Sequence, residues 1–257
     1  KLDESMAIIH QSITIVNETE PRYYVLINNL WSFLGSQGRL KEIENFNVNQ
    51  TSKATQNGKV TSQLLNSFVT GNFIEGEKYL EEYKSINKGK QGYPIEVFSN
   101  SLKILSGDFN HVNYQDDTFK TLADIYQQLS LAKFEDANKY LDILLKGNWP
   151  KSEIKNLIDC IPLHIEICLG NKGRANLILI DKNKSGNSHY IDDFFYGRLK
   201  LLEDDFNSAN EYFTKLIENI NRFGAMDRLK FELQFAKEMK LDYILQLLDG
   251  WPISKEI

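Results

Sequence analysis

Four histidines, two cysteines and three acidic clusters are the residues of this chain whose types could carry chemistry. His164 lies four residues after Cys160 and four before Cys168, a spacing that puts all three on one face of a helix. A metal site built from a single helix is geometrically awkward, and Pro162 interrupts this one, so no metal is expected there. Along a helix the two thiols would stand roughly 12 Å apart, too far for a disulfide. They read as buried thiols of a reducing compartment. His10, His111 and His189 have no second histidine or cysteine at ligand spacing. Asp116-Asp117, Asp192-Asp193 and Glu203-Asp204-Asp205 invite a paired acid–base reading. Each falls at an expected helix start or inter-helix turn, where acids complement the helix dipole or solvate a loop. GxGxxG, P-loop and GxSxG motifs are absent from the sequence. The expectation is a protein that is not an enzyme and needs no cofactor.

Composition narrows the partners. The chain has 257 residues, 42% hydrophobic and 25% charged, with a formal net charge of −5. That acidic balance argues against direct nucleic-acid binding. No run of about 18 apolar residues occurs, so no membrane span is expected. An opening at Lys1, without methionine or a signal-like stretch, reads as a piece of something longer, with a cytoplasmic location expected.

Six short segments vary one pattern: LGSQGRLKEIENF, TGNFIEGEKYL, SGDFNHVNYQ, LAKFEDANKYL, LGNKGRANLIL and EDDFNSANEYF. Their turn residues are read as Gly35, Gly71, Gly107, Ala132, Gly170 and Asp204, at steps of 36, 36, 25, 38 and 34 residues. That is the period of a helix-turn-helix repeat. Two residues past the turn stand Phe73, Phe109, Phe134 and Phe206; five past it stand Gly76, Ala137, Ala175 and Ala209. Small residues there let a second helix lie close against the first. Tyr23, Leu26, Ile27, Leu30 and Leu34 recur on one helix face, as do Ile191, Phe194, Phe195, Leu199 and Leu202. Punctuation places loops over Asn47–Asn57, Asn87–Gly92, Gly147–Pro150 and Asn183–Ser188, and Pro162 predicts a kink or break.

The pattern small-x-aromatic-x-x-Ala-x-x-aromatic, clearest in GNFIEGEKYL, AKFEDANKYL and DDFNSANEYF, resembles the second helix of the tetratricopeptide repeat family. The first-helix glycine of that family is present once, as Gly197. The resemblance covers roughly Pro21 to Ile220. It implies an all-α, right-handed superhelical solenoid of about six helix-turn-helix units. The 25-residue step predicts an irregular break near residues 109–117, dividing the array into halves 1–115 and 116–257. Capping helices are expected over Leu2–Val16 and, as a pair, over Met226–Lys240 and Leu241–Leu248.

By the same resemblance, set positions of each first helix line a concave, mostly apolar face. They give Arg22, Val25, Asn29 and Ser32 in the first unit, Phe68 in the second, Tyr126 in the fourth, Cys160 and His164 in the fifth, and Phe194 and Arg198 in the sixth. Arg22, Asn29, Phe68, Tyr126, His164, Phe194 and Arg198 are the expected peptide-binding residues. Val25 stands where a carboxylate-clamping member would have lysine, so capture of a chaperone tail is not implied. The expected function is a protein or peptide interaction module. One alternative is the peptide-sensing part of a transcriptional regulator whose DNA-binding or ATPase module lies elsewhere. A second is a structural, homodimerising arm with Tyr243, Leu247, Leu248 and Trp251 as its candidate patch.

Overall fold

The computed structural model describes residues 2–17, 20–45, 53–88, 93–112, 117–147, 158, 160–184, 190–223 and 225–236. Regular structure among them is entirely helical: thirteen α-helices and one 3₁₀ turn, with no strand. None of the described helices is long and apolar enough to cross a membrane. The chain divides into two compact units, Lys1–Ile95 and Glu96–Ile257.

In the N-terminal unit the order is α1 (Leu2–Ile15), α2 (Pro21–Ser36), α3 (Leu40–Asn45), α4 (Lys53–Thr70) and α5 (Phe73–Ile86). Pro21 opens α2, where its missing N–H is not needed. Tyr23, Ile27, Leu30, Trp31 and Leu34 form a core with Met6 of α1 and Ile43 of α3. α2 also packs on α4, and two glycines set how closely. A Cβ on Gly35 would stand 2.3 Å from the Ser62 carbonyl oxygen; one on Gly58 would stand 2.3 Å from Asn28 Oδ1. The expected loop over 47–57 is therefore partly helix: α4 begins at Lys53, and residues 46–52 lie outside the described residues. α4 buries Val60, Leu64 and Phe68 at four-residue steps and, beside them, Ser62, Ser67 and Thr70. Their hydroxyls donate to the Gly58, Leu64 and Asn66 carbonyls of the same helix, which satisfies them internally.

α6 (Tyr93–Leu105) contains the boundary between the units. After it, Phe109–His111 form only the 3₁₀ turn, as the short step predicts, and residues 113–116 lie outside the described residues. The C-terminal unit continues with α7 (Asp117–Ser130), α8 (Phe134–Lys146), α9 (Ile161–Cys168), α10 (Lys172–Lys184), α11 (Asp192–Leu202), α12 (Phe206–Phe223) and α13 (Met226–Leu233). α7 pairs with α8, α9 with α10 and α11 with α12; α8 also packs on α9, and α11 on both α9 and α10. Pro162 lies in the first turn of α9, so the helix begins there. Tyr243, Leu247, Leu248 and Trp251 lie outside the described residues.

The turns carry the repeat. Gly71, Gly107, Ala132, Gly170 and Asp204 all adopt left-handed φ, between 55° and 80°. In the first segment the left-handed residue is Gly38, not Gly35, because Gly35 is held inside α2 against α4. Past five of these six residues the next N–H returns to a carbonyl five positions earlier: Arg39 to Leu34, Asp108 to Lys103, Lys133 to Gln128, Asn171 to Glu166 and Asp205 to Lys200. This is the helix-ending arrangement that calls for a left-handed residue. The following helix or 3₁₀ turn starts two residues after the turn residue in all six segments, at Leu40, Phe73, Phe109, Phe134, Lys172 and Phe206. Ala137, Ala175 and Ala209 are then fully buried. A Cβ on Gly197 would meet the Phe213 ring at 2.5 Å, so glycine alone admits this approach of α11 to α12.

Candidate functional site

Counted from the left-handed turns, Tyr126, His164 and Arg198 hold one position, six residues upstream, on α7, α9 and α11. Their side chains meet in the C-terminal unit, but none of them lines an open face: Tyr126, His164 and Arg198 are buried. What they hold is α13 and the residues just after it. Tyr126 packs against Phe231 and Phe235 with ring centroids 6.1 and 5.9 Å away. His164 lies edge-on to Phe195 at 5.0 Å and to Phe235 at 5.8 Å. Arg198 lies over the Phe194 and Phe195 rings at 5.1 and 5.7 Å, a cation–π arrangement out of water.

A polar chain threads these aromatics. Arg198 Nη1 donates to His164 Nδ1 at 2.8 Å, so the imidazole proton sits on Nε2 and is donated to the Glu232 carboxylate. The other oxygen of Glu232 is paired with Arg228, one helical turn earlier on α13. Arg228 Nη2 also lies 3.3 Å from Cys160 Sγ, and Arg198 Nη2 lies 3.4 Å from Cys168 Sγ. Cys168 in turn donates to the Phe235 carbonyl at 3.5 Å. Burial pushes the Glu232 carboxyl up, but Arg228, His164 and Arg198 together outweigh it and hold the pKa down at about 2. Burial raises the Tyr126 phenol well above its ordinary value. A Glu232 that is charged when buried is therefore a matched partner for the cations around it.

Cys160, His164 and Cys168 do share one face, as their spacing predicts. Arginines and Glu232 occupy their polar atoms, and no group of three or more metal-ligating side chains among the described residues could hold an ion. The thiols are unpaired with each other, Cys160 buried and Cys168 half-buried. Phe194 lies in the core beside Phe213, and Phe68 is buried on α4.

The N-terminal unit differs. Arg22, Val25, Asn29 and Ser32 form one exposed row along α2, with Val25 58% exposed. With Gly38 as the turn residue, Ser32 takes the position that Tyr126, His164 and Arg198 hold in their repeats. Arg22 and Asn29 lie off the counted positions but on the same exposed row. Sequence reasoning missed Arg228, Phe231, Glu232 and Phe235, since α13 was read as a cap. One signal was available: a histidine and an arginine at matching positions of neighbouring apolar faces require a counter-charge. The sequence matches no family model, and neither a curated protein nor a solved structure matches the chain.

Proposed function

We propose that this chain is a tetratricopeptide-like interaction module that binds a helical protein segment and carries out no reaction of its own. One observation carries the reading. The positions from which such repeats recognise partners converge on a helix, α13, held by aromatic anchors and one caged carboxylate. This is the chemistry of a helix seated in a groove, a few buried anchors supplying most of the attraction. The left-handed turns and, in the C-terminal unit, the packing of α8 on α9 and of α11 on α9 and α10 support a stack of helical repeats. In this reading α13 fills the face of the C-terminal unit, and a partner segment docks along Arg22, Val25, Asn29 and Ser32. Two thiols that are not joined in a disulfide fit a cytoplasmic setting.

The test is capture of partners from native lysate by the chain and by a Val25→Glu, Asn29→Ala variant, both changes lying on exposed positions. A partner lost by the variant, with its circular dichroism unchanged, supports the reading. A partner kept by the variant moves the docking row elsewhere, and the absence of any partner removes the reading. Exposed Ile143, Leu145, Leu177 and Ile180 on α8 and α10 favour a second reading, a structural arm that pairs with another copy. Light scattering decides it: a dimer that Leu177→Lys with Ile180→Lys converts to a monomer.

A further inference from the structure

A cleft of about 440 Å³ opens between α10, α11 and α12. Its walls include Asn183, Tyr190, Asp193, Tyr196, Tyr212 and Lys215. The volume falls in the range of small-molecule sites, roughly 300–1,000 Å³. Tyr196 and Tyr212 stack with centroids 5.1 Å apart and planes at 17°, and the Asn183 amide donates to the Tyr196 hydroxyl, so this wall is fixed. Two carboxylates stand at the start of α11, and they are held differently. Asp192, buried, forms a 2.8 Å pair with Lys182, whose side chain is only 10% exposed. Asp193 is also buried, but its partner Lys215, at 3.1 Å, has a side chain 64% exposed. Burial pushes the Asp193 carboxyl up, and the Lys215 contact pulls it back down.

From this geometry we infer that the cleft binds a guanidinium group, which bonds the Asp193 carboxylate in place of Lys215 and stacks on the tyrosine wall. Lys215 reaches the buried Asp193 carboxylate from a largely exposed side chain and offers it a point-charge ammonium, which a guanidinium making two hydrogen bonds can displace. A guanidinium offers what an ammonium does not: a planar face for an aromatic ring and two parallel N–H groups for one carboxylate. An anion would meet Asp192 and Asp193 together. A neutral sugar would find hydroxyl and amide partners, but it would bring no charge to Asp193. The inference is independent of whether the chain binds a partner helix.

The probe is Nα-acetyl-arginine amide, titrated into the full chain while the tyrosine ring signals are followed by NMR. Expected are saturable shifts of the Tyr196 and Tyr212 rings, and affinity roughly tenfold weaker for the neutral citrulline analogue. Asp193→Asn should weaken binding by a similar factor. Lys215→Ala should bind as well as the parent or up to about fivefold more tightly, since it removes the competitor. Equal binding of citrulline, loss of binding in Lys215→Ala, or shifts produced instead by methyl glucoside would each overturn the inference. If Asp193→Asn is misfolded by circular dichroism, the citrulline and Lys215→Ala arms still decide.

Discussion

Ser32 and His164 sit six residues ahead of their left-handed turns, on first helices of the same repeat pattern, yet one is exposed and the other buried. In the N-terminal unit the row along α2 is short-chained and open. In the C-terminal unit three of the matching positions carry Tyr126, His164 and Arg198, which cluster around α13, and the fourth, Ser101, is buried as well. The difference teaches that a repeat fixes where a side chain points and leaves open what meets it there. A serine at this position is exposed in one repeat, as Ser32, and buried in another, as Ser101, whereas Tyr126, His164 and Arg198 bring aromatic area and charge that their cover has to match.

The comparison breaks most easily at Glu232. Replacing it with alanine strips the carboxylate from Arg228 and His164, and loss of one partner of a buried pair costs about 3–5 kcal/mol. Urea unfolding should show that loss, whereas Asn29→Ala on the open row should stay within about 0.5 kcal/mol.

A second contrast lies in the close-approach glycines. Gly35→Ala drives a methyl into the Ser62 backbone, and Gly197→Ala drives one into the Phe213 ring. Overpacking costs about 1–3 kcal/mol, with the larger loss expected at Gly35, because a helix backbone yields less than a ring. Thermal unfolding of the two variants measures the order.

Acid sharpens the comparison further. Glu232 has a folded pKa below its unfolded value, so its contribution is fully present above about pH 4.5 and is lost as pH falls toward about 2. Fluorescence or circular dichroism across that window should show the C-terminal unit weakening. Glu232→Gln should remove this part of the pH dependence, while lowering stability at neutral pH.

The smallest effect is expected at the turns that lack glycine. Ala132 and Asp204 hold φ of 55° and 62°, a strained region for side-chain-bearing residues. Ala132→Gly should therefore stabilise the chain, by about 0.5–1 kcal/mol, where the same change inside α8 would destabilise it.

Much of the local structure was legible in the sequence. Five of the six turn residues, the helix starts two residues beyond them, the buried alanines of the second helices and the abbreviated turn at Phe109–His111 follow from local patterns. The register of the first segment was misread because LGSQGRL offers two glycines, and which of them turns depends on α4, a distant element. The start of α4 was misread for a related reason. Residues 53–57 are polar apart from Ala54 and read as a loop, yet they are the first turns of a helix whose buried apolar residues begin only at Val60. The site was half legible: the resemblance to the repeat family puts Tyr126, His164 and Arg198 on one face. Glu232 was not, because pairing residues 68 positions apart in sequence leaves no periodic trace.

The most direct test is hydrogen exchange of the amides of α13, measured in the parent chain and in Glu232→Ala. The account predicts that α13 in the parent is protected to the same degree as α9 and α11, and that the substitution releases α13 while α2 and α4 keep their protection. Free exchange of α13 in the parent chain, or equal loss of protection in α2 and α4, would contradict it.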